Sequence, residues 1–246
     1  MIKYNPKFLK IVDDLSDVCK KSEGAHPVHP VRFFKNDEGV NVKLKNGSDT
    51  IYLMINSSSD DFDFPGEEIC FYDYQDFYKY FSKFTSPEIN LKQLKNTEVL
   101  EIVEGGSKIN YATSDPEVIG NENFKKVGIP EAITTFKFSV ADVKKLKEMI
   151  SLFKDERMMV SAEFSGKTVV FKLVSEFNTN TYEQTIDLES EVYESFEFKF
   201  SQDSIKYLPN ASYDVGVSDD SGVLIFNYNT ENIKVTIMLG SDEDDE

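Results

Sequence analysis

The sequence predicts an α+β chain of two similar domains, each with two helices packed on a mostly antiparallel sheet. Three observations carry this reading. First, the 246 residues are 40% apolar and include 20 Phe and 12 Tyr. That is enough to fill real cores and too apolar for a disordered chain, despite 29% charged residues. Second, amphipathic stretches at helical spacing alternate with short β-branched and aromatic runs bounded by turn residues. Third, parts of the first half return in the second. Gly39–Leu44 resembles Gly166–Leu173, and the strand-then-helix stretch Glu68–Tyr80 resembles Phe196–Leu208. Such repetition implies two like domains of ~115–125 residues. We place them at 1–122 and 136–246, joined by a connector at 123–135 that contains Gly128 and Pro130.

Each element has a local cause. Pro6 suits a first helical turn, and Phe8, Ile11, Val12, Leu15, Val18 and Cys19 make one apolar face over Lys7–Lys21. Val31–Phe34, Gly39–Leu44 and Thr50–Ile55 read as strands; Asn36-Asp37-Glu38-Gly39 and Asn46-Gly47 separate them. Glu68–Tyr72 is a fourth strand. Asp73 then caps a helix to about Phe84, with Phe77, Tyr80, Phe81 and Phe84 inward. Strands follow at Ile89–Leu94, Glu98–Val103 and Lys108–Ala112. Ser139 caps a third helix, Val140–Lys154, with Val143, Leu146, Met149, Ile150 and Phe153 inward. Met158–Phe164 and Thr168–Val174 read as two strands split by Ser165-Gly166-Lys167. Further strands are expected at Tyr182–Leu188, Phe196–Phe200, Ser212–Val217, Val223–Tyr228 and Ile233–Leu239. A short helix, Ser201–Leu208, is ended by Pro209.

Catalytic constellations are absent, so the chain is expected not to be an enzyme and to need no cofactor and no metal. His26 and His29 are the only histidines, and Pro27 and Pro30 disfavour the helix that would bring them together. Gly105-Gly106-Ser107-Lys108 resembles a phosphate loop but lacks its glycine spacing, and reads as a hairpin turn. Asp60, Asp61 and Asp63 approach a calcium-loop spacing. Pro65 and Tyr72 occupy positions that would break it, leaving a solvated acidic loop. Cys19 and Cys70 have no paired spacing. No apolar run approaches the ~20 residues of a membrane span. Met1–Pro6 lacks the apolar stretch of a signal peptide, so a soluble, cytoplasmic protein without membrane partners is expected.

The net charge is −17, which repels nucleic acid overall. Its distribution is uneven. The four expected helices carry eleven lysines: Lys7, Lys10, Lys20, Lys21, Lys79, Lys83, Lys144, Lys145, Lys147, Lys154 and Lys206. Against them stand eight carboxylates: Asp13, Asp14, Asp17, Asp73, Asp76, Asp142, Glu148 and Asp203. The helices therefore net +3, leaving −20 for the rest of the chain. If all four helices share one side of the sheets, that side is the least repulsive to a polyanion. Lysine suits loose phosphate contact, without the forked geometry that fixes register. The chain ends in an acidic tail, 241–246.

The doubled unit, the length and the acidic surface with lysine-bearing helices resemble the DNA polymerase sliding clamps, most of all the T4-type bacteriophage clamp. The residues that carry the resemblance are Glu68–Phe77, Lys108–Ala112 leading to Ser114–Val118, and Phe196–Leu239. It implies two clamp-type domains and closure of three copies into a ring by edge-strand pairing, with the eleven lysines facing double-stranded DNA. It implies a DNA polymerase and a clamp loader as partners, and a role in late transcription. It also implies a pocket for a partner's hydrophobic peptide, carried over to Val127, Ile129, Val223, Ile237 and Leu239. Two other readings fit the acidic, β-rich composition: a DNA mimic and a phage structural or interaction protein.

Overall fold

The computed structural model describes residues 1–22, 30–37, 39–46, 50–95, 97–119, 128–153, 158–174 and 181–241. The expected α+β class holds: among the described residues there are thirteen strands, antiparallel in the pairings with a defined register, and few helices. Chain contacts define two compact units, one comprising 1–44, 53–127 and 229–235, the other 45–52, 128–228 and 236–246.

The first unit begins with α1 (Pro6–Ser22), whose Lys7 backbone N–H donates to Asn5 Oδ1 at 2.9 Å. Four strands follow, β1 (Val31–Asn36), β2 (Gly39–Lys45), β3 (Ile51–Ser57) and β4 (Glu68–Phe71), in the order β4-β1-β2-β3. The turn into β2 needs glycine. Gly39 lies at φ +134, and a Cβ there would sit 2.2 Å from the Ser57 carbonyl oxygen. Helix α2 (Tyr74–Phe81) is capped as expected: the Asp76 N–H donates to the Asp73 carboxylate at 3.0 Å. Strands β5 (Glu88–Leu94), β6 (Thr97–Glu104) and β7 (Ser107–Ala112) form a meander in sequence order. Gly105, at φ +58, makes the expected turn between the last two. On the middle strand Glu101 takes ion pairs from Lys92 and Lys108, which hold its carboxyl below the usual range. A short helix, α3 (Pro116–Ile119), was not expected from sequence.

The core of this unit is aromatic. Phe8, Phe33, Phe62, Phe71, Tyr74 and Phe77 are all buried. Phe33 touches four of the others, with ring centroids 5.9 Å from Phe8 and 5.5 Å from Phe62. Two of the core residues, Phe62 and Phe64, come from the segment expected to be a solvated acidic loop. Alternation explains it: Asp63, between them, points outward to Lys35 at 2.7 Å. Among the described residues no group of three His, Cys, Asp or Glu could hold a metal ion. His26 and His29 lie outside the described residues.

The second unit opens with β8 (Thr134–Phe138), whose first two residues fall in the stretch expected to be connector. Phe136 and Phe138 alternate inward and draw the segment into the sheet. Helix α4 (Val140–Phe153) follows, then β9 (Met159–Val174), β10 (Tyr182–Ser201), α5 (Gln202–Lys206), β11 (Tyr213–Ser218), β12 (Val223–Thr230) and β13 (Ile233–Gly240). One sheet runs β13-β12-β11-β8, and β9 pairs with β10. The expected break at Ser165-Gly166-Lys167 is absent. Gly166 takes φ +57 inside a continuous strand, and β10 spans both halves with register shifts between Asp187, Val192 and Phe196. Turn residues here serve a bulged ladder rather than a hairpin, because one long partner strand pairs on both sides of them. The core stacks Phe138 on Phe171 at 5.3 Å and sets Phe226 edge-on to Tyr213 at 5.5 Å.

No described helix is long and apolar enough to cross a membrane. Replacing Phe33, 1% exposed, by alanine is expected to lower unfolding free energy by ~3–5 kcal/mol, measured by urea denaturation.

Candidate nucleic-acid interface

In the first unit α1 buries Phe8, Val12, Leu15 and Cys19. That roll leaves Lys7 and Lys10 on the solvent side, but neither is a free cation. Lys7 pairs with Glu231 at 2.8 Å, and Lys10 with Asp14 at 2.8 Å. The two helices pack together: the Tyr74 hydroxyl donates to the Leu9 carbonyl at 3.0 Å, and Gln75 Nε2 to Asp17 at 3.3 Å. Three carboxylates line this seam. Burial first, then Asp14 and Asp17, pushes Asp13 from its ordinary 3.8 to about 6. Asp13 and Asp14 both act on Tyr78 of α2. Lys79 and Lys83, at and beyond the end of α2, are exposed. Lys20 and Lys21 belong to α1, but their side chains lie outside the described residues.

In the second unit Ser139 and Asp142 cap α4 reciprocally. The Ser139 N–H donates to Asp142 Oδ2 at 3.1 Å, and the Asp142 N–H donates to Ser139 Oγ at 3.2 Å. Gln184 of β10 donates to the other oxygen of Asp142 at 2.9 Å, so this acid is consumed in anchoring the helix. Val143, Leu146 and Ile150 face the core. Lys144 and Lys145 are exposed, the latter with its ammonium 5.9 Å above the Tyr182 ring.

Lys147 behaves differently from the expectation that it faces DNA. Its ammonium donates to the Leu208 carbonyl at 2.5 Å and to Asn210 Oδ1 at 3.0 Å. Desolvation holds its pKa below the ordinary lysine value. It braces α4 against the end of α5 rather than standing free in solvent. Lys206 of α5 is exposed, 5.5 Å from the Tyr207 ring centroid and 4.0 Å from Asp203. Lys144, Lys147 and Lys206 share an open cleft of about 820 Å³ with Glu148, Ser151 and Asn210. Lys154 lies outside the described residues.

The structure divides the residues expected to receive a partner peptide. Ile129 is 55% exposed and Val223 half-buried. Ile237 and Leu239 are fully buried on β13 and offer no surface to a peptide. Their alternation in a strand that is core-facing on both counts explains the mismatch. Val127 lies outside the described residues. Burial pushes the Cys70 thiol up to about 11, which removes it as a nucleophile at neutral pH.

The partners that engage these lysines were not legible in the sequence. Glu231 is 224 positions from Lys7, and Leu208 is 61 from Lys147, so no local signal joins them. The Asp13, Asp14 and Asp17 cluster was visible as a count, not as a seam.

Two outcomes are expected. Between pH 4 and 6 the folded chain holds a proton on Asp13 that the unfolded chain releases, so ionisation above 6 costs stability. Asp13→Asn should therefore raise the melting temperature at pH 8 and give no such gain at pH 4, by calorimetry. Lys147→Ala should cost about 1 kcal/mol by stranding the Leu208 carbonyl, read by chemical denaturation.

No protein-family model matches the sequence, and no curated protein does. Solved structures do. PCNA from A. fulgidus, solved bound to the C-terminal region of FEN-1, matches with a TM-score of 0.71 at 11% identity, covering 100% of this chain and 98% of that one. PCNA from Entamoeba histolytica matches at 0.66 and 13% identity, covering 96% of each chain. PCNA from Thermococcus kodakaraensis matches at 0.66 and 13%, covering 98% of this chain and 99% of that one. These are PCNA-type sliding clamps, and this chain shares their fold over essentially its whole length.

Proposed function

We propose that this protein is a sliding clamp, with no catalytic activity of its own. Three copies close head to tail into a ring around duplex DNA. One observation carries the reading: the match to PCNA-type clamps is nearly complete in both directions, so the likeness covers a whole clamp subunit rather than one shared domain. The lysines left on solvent-facing helix surfaces support contact with a polyanion.

A heterologous contact repeated by a closing rotation makes a ring. Strand β7 is an edge of its three-stranded sheet among the described residues, and pairing such an edge with the next subunit also protects it. A closed ring cannot leave DNA sideways, so it slides while binding weakly. A polymerase held on that ring gains effective concentration at the primer end. A clamp loader opens the ring, and the resemblance of segments 68–77, 108–112 with 114–118, and 196–239 to the T4-type phage clamps supports a further role in late transcription. Ile129 is the accessible member of the apolar set offered to partner peptides.

Native mass measurement across concentration should give three subunits, and protein loaded on nicked circular DNA should be released when the circle is linearised. A monomer at every concentration, or equal retention on linear and circular DNA, would overturn the proposal.

A further inference from the structure

The two helix pairs carry opposite charge at their seams. Between α1 and α2 lie Asp13, Asp14 and Asp17, and the nearby Lys10 is consumed by Asp14. Between α4 and α5 lies an open cleft lined by Lys144, Lys147 and Lys206, in which Glu148 is the one carboxylate among the described residues. Asp142, the other acid of α4, is held in the helix cap and by Gln184. Asp203 stands 4.0 Å from Lys206, a distance at which an exposed pair is only weakly neutralised. Lys147 is fixed on the Leu208 carbonyl and Asn210, so it holds the floor of the cleft while Lys144 and Lys206 project into it.

We infer that the two units of each subunit divide the work on DNA: the α4/α5 cleft holds the backbone phosphates, and the α1/α2 seam repels them. This rests on the proposed function and adds to it an inequality between the units. A phosphate entering the cleft meets two unfixed ammonium groups, with Ser151 and Asn210 as polar neighbours. A phosphate approaching α1 meets Lys7 and Lys10 already paired with Glu231 and Asp14, with the half-buried Asp13 and Asp17 behind them. A ring of three such subunits would carry three attractive and three repulsive patches. That division limits how tightly any register is held, because counterion release scales with the number of phosphates neutralised.

The test is fluorescence anisotropy of the full chain on a short labelled duplex of random sequence, across potassium chloride concentrations at about pH 8. Lys144→Glu with Lys206→Glu should weaken binding about tenfold and flatten the salt slope by roughly 0.9 per lost contact. Lys7→Gln with Lys10→Gln should change affinity by no more than about twofold. Asp13→Asn with Asp14→Asn should tighten it about threefold or more, since it removes repulsion and frees Lys10. All these side chains are exposed or half-buried, and a cooperative melting transition confirms that each variant folds, with the Asp13 variant melting higher than wild type at this pH. Equal losses from the two lysine pairs, or no loss from the cleft pair, overturns the inference. If either occurs while wild-type protein still stays trapped on circular DNA, the division of labour falls and encirclement stands. If trapping itself fails, the proposed function falls instead.

Discussion

Burial of one apolar stripe per helix fixes the roll of that helix on its sheet, and with it the direction of every charged side chain. On α1 the stripe is Phe8, Val12, Leu15 and Cys19; on α4 it is Val143, Leu146 and Ile150. Each buried side chain of this size contributes ~1.5–3 kcal/mol relative to exposure. Exposed ion pairs contribute ~0–1 kcal/mol. The apolar stripe therefore decides the orientation, and the lysines occupy whatever face remains. Lys7, Lys10, Lys144 and Lys145 are displayed as a consequence of packing rather than by attraction to one another.

The same orientation then separates lysines by their neighbours. Lys7 meets Glu231 and Lys10 meets Asp14, whereas Lys147 turns inward to close the C-terminal end of α5. A charge count along the helices treats these residues alike. Local geometry makes some of them paired, one structural and others free. Unevenly distributed lysines on the helix faces are compatible with the clamp role proposed above, which requires retention on DNA without tight contacts at every helix. Lysine rather than arginine on the described helices fits that requirement, since an ammonium makes no fixed fork with phosphate.

The backbone devices follow a similar logic. Gly39 sits where a side chain would strike the Ser57 carbonyl. Gly166 keeps a left-handed conformation within a long strand, and the extra residues of β10 are absorbed as bulges. These are local solutions to a demand set elsewhere, namely that β9 and β10 stay paired over most of their length.

Much of the fold was legible in the sequence. The faces of α1 and α4, the caps at Asp73 and Ser139, and most strands follow from periodicity and short-range hydrogen bonding, which act over a few residues; on α2, Phe77 and Phe81 are inward as expected, but Tyr80 is exposed and Tyr74 takes a buried place. The sequence also held the net charge of −17 and the lysine enrichment of the helices. What it did not hold were facts that depend on distant partners. Phe62 and Phe64 looked like loop residues until α1 and β1 came to cover them. The fusion of β9 depended on the length of β10, Ile237 and Leu239 on the strands around β13, and the fate of Lys7 and Lys147 on residues far along the chain. Local propensity is decided by neighbours in sequence, but the neutralisation of a charge and the burial of a strand are decided by neighbours in space, and only tertiary structure supplies those.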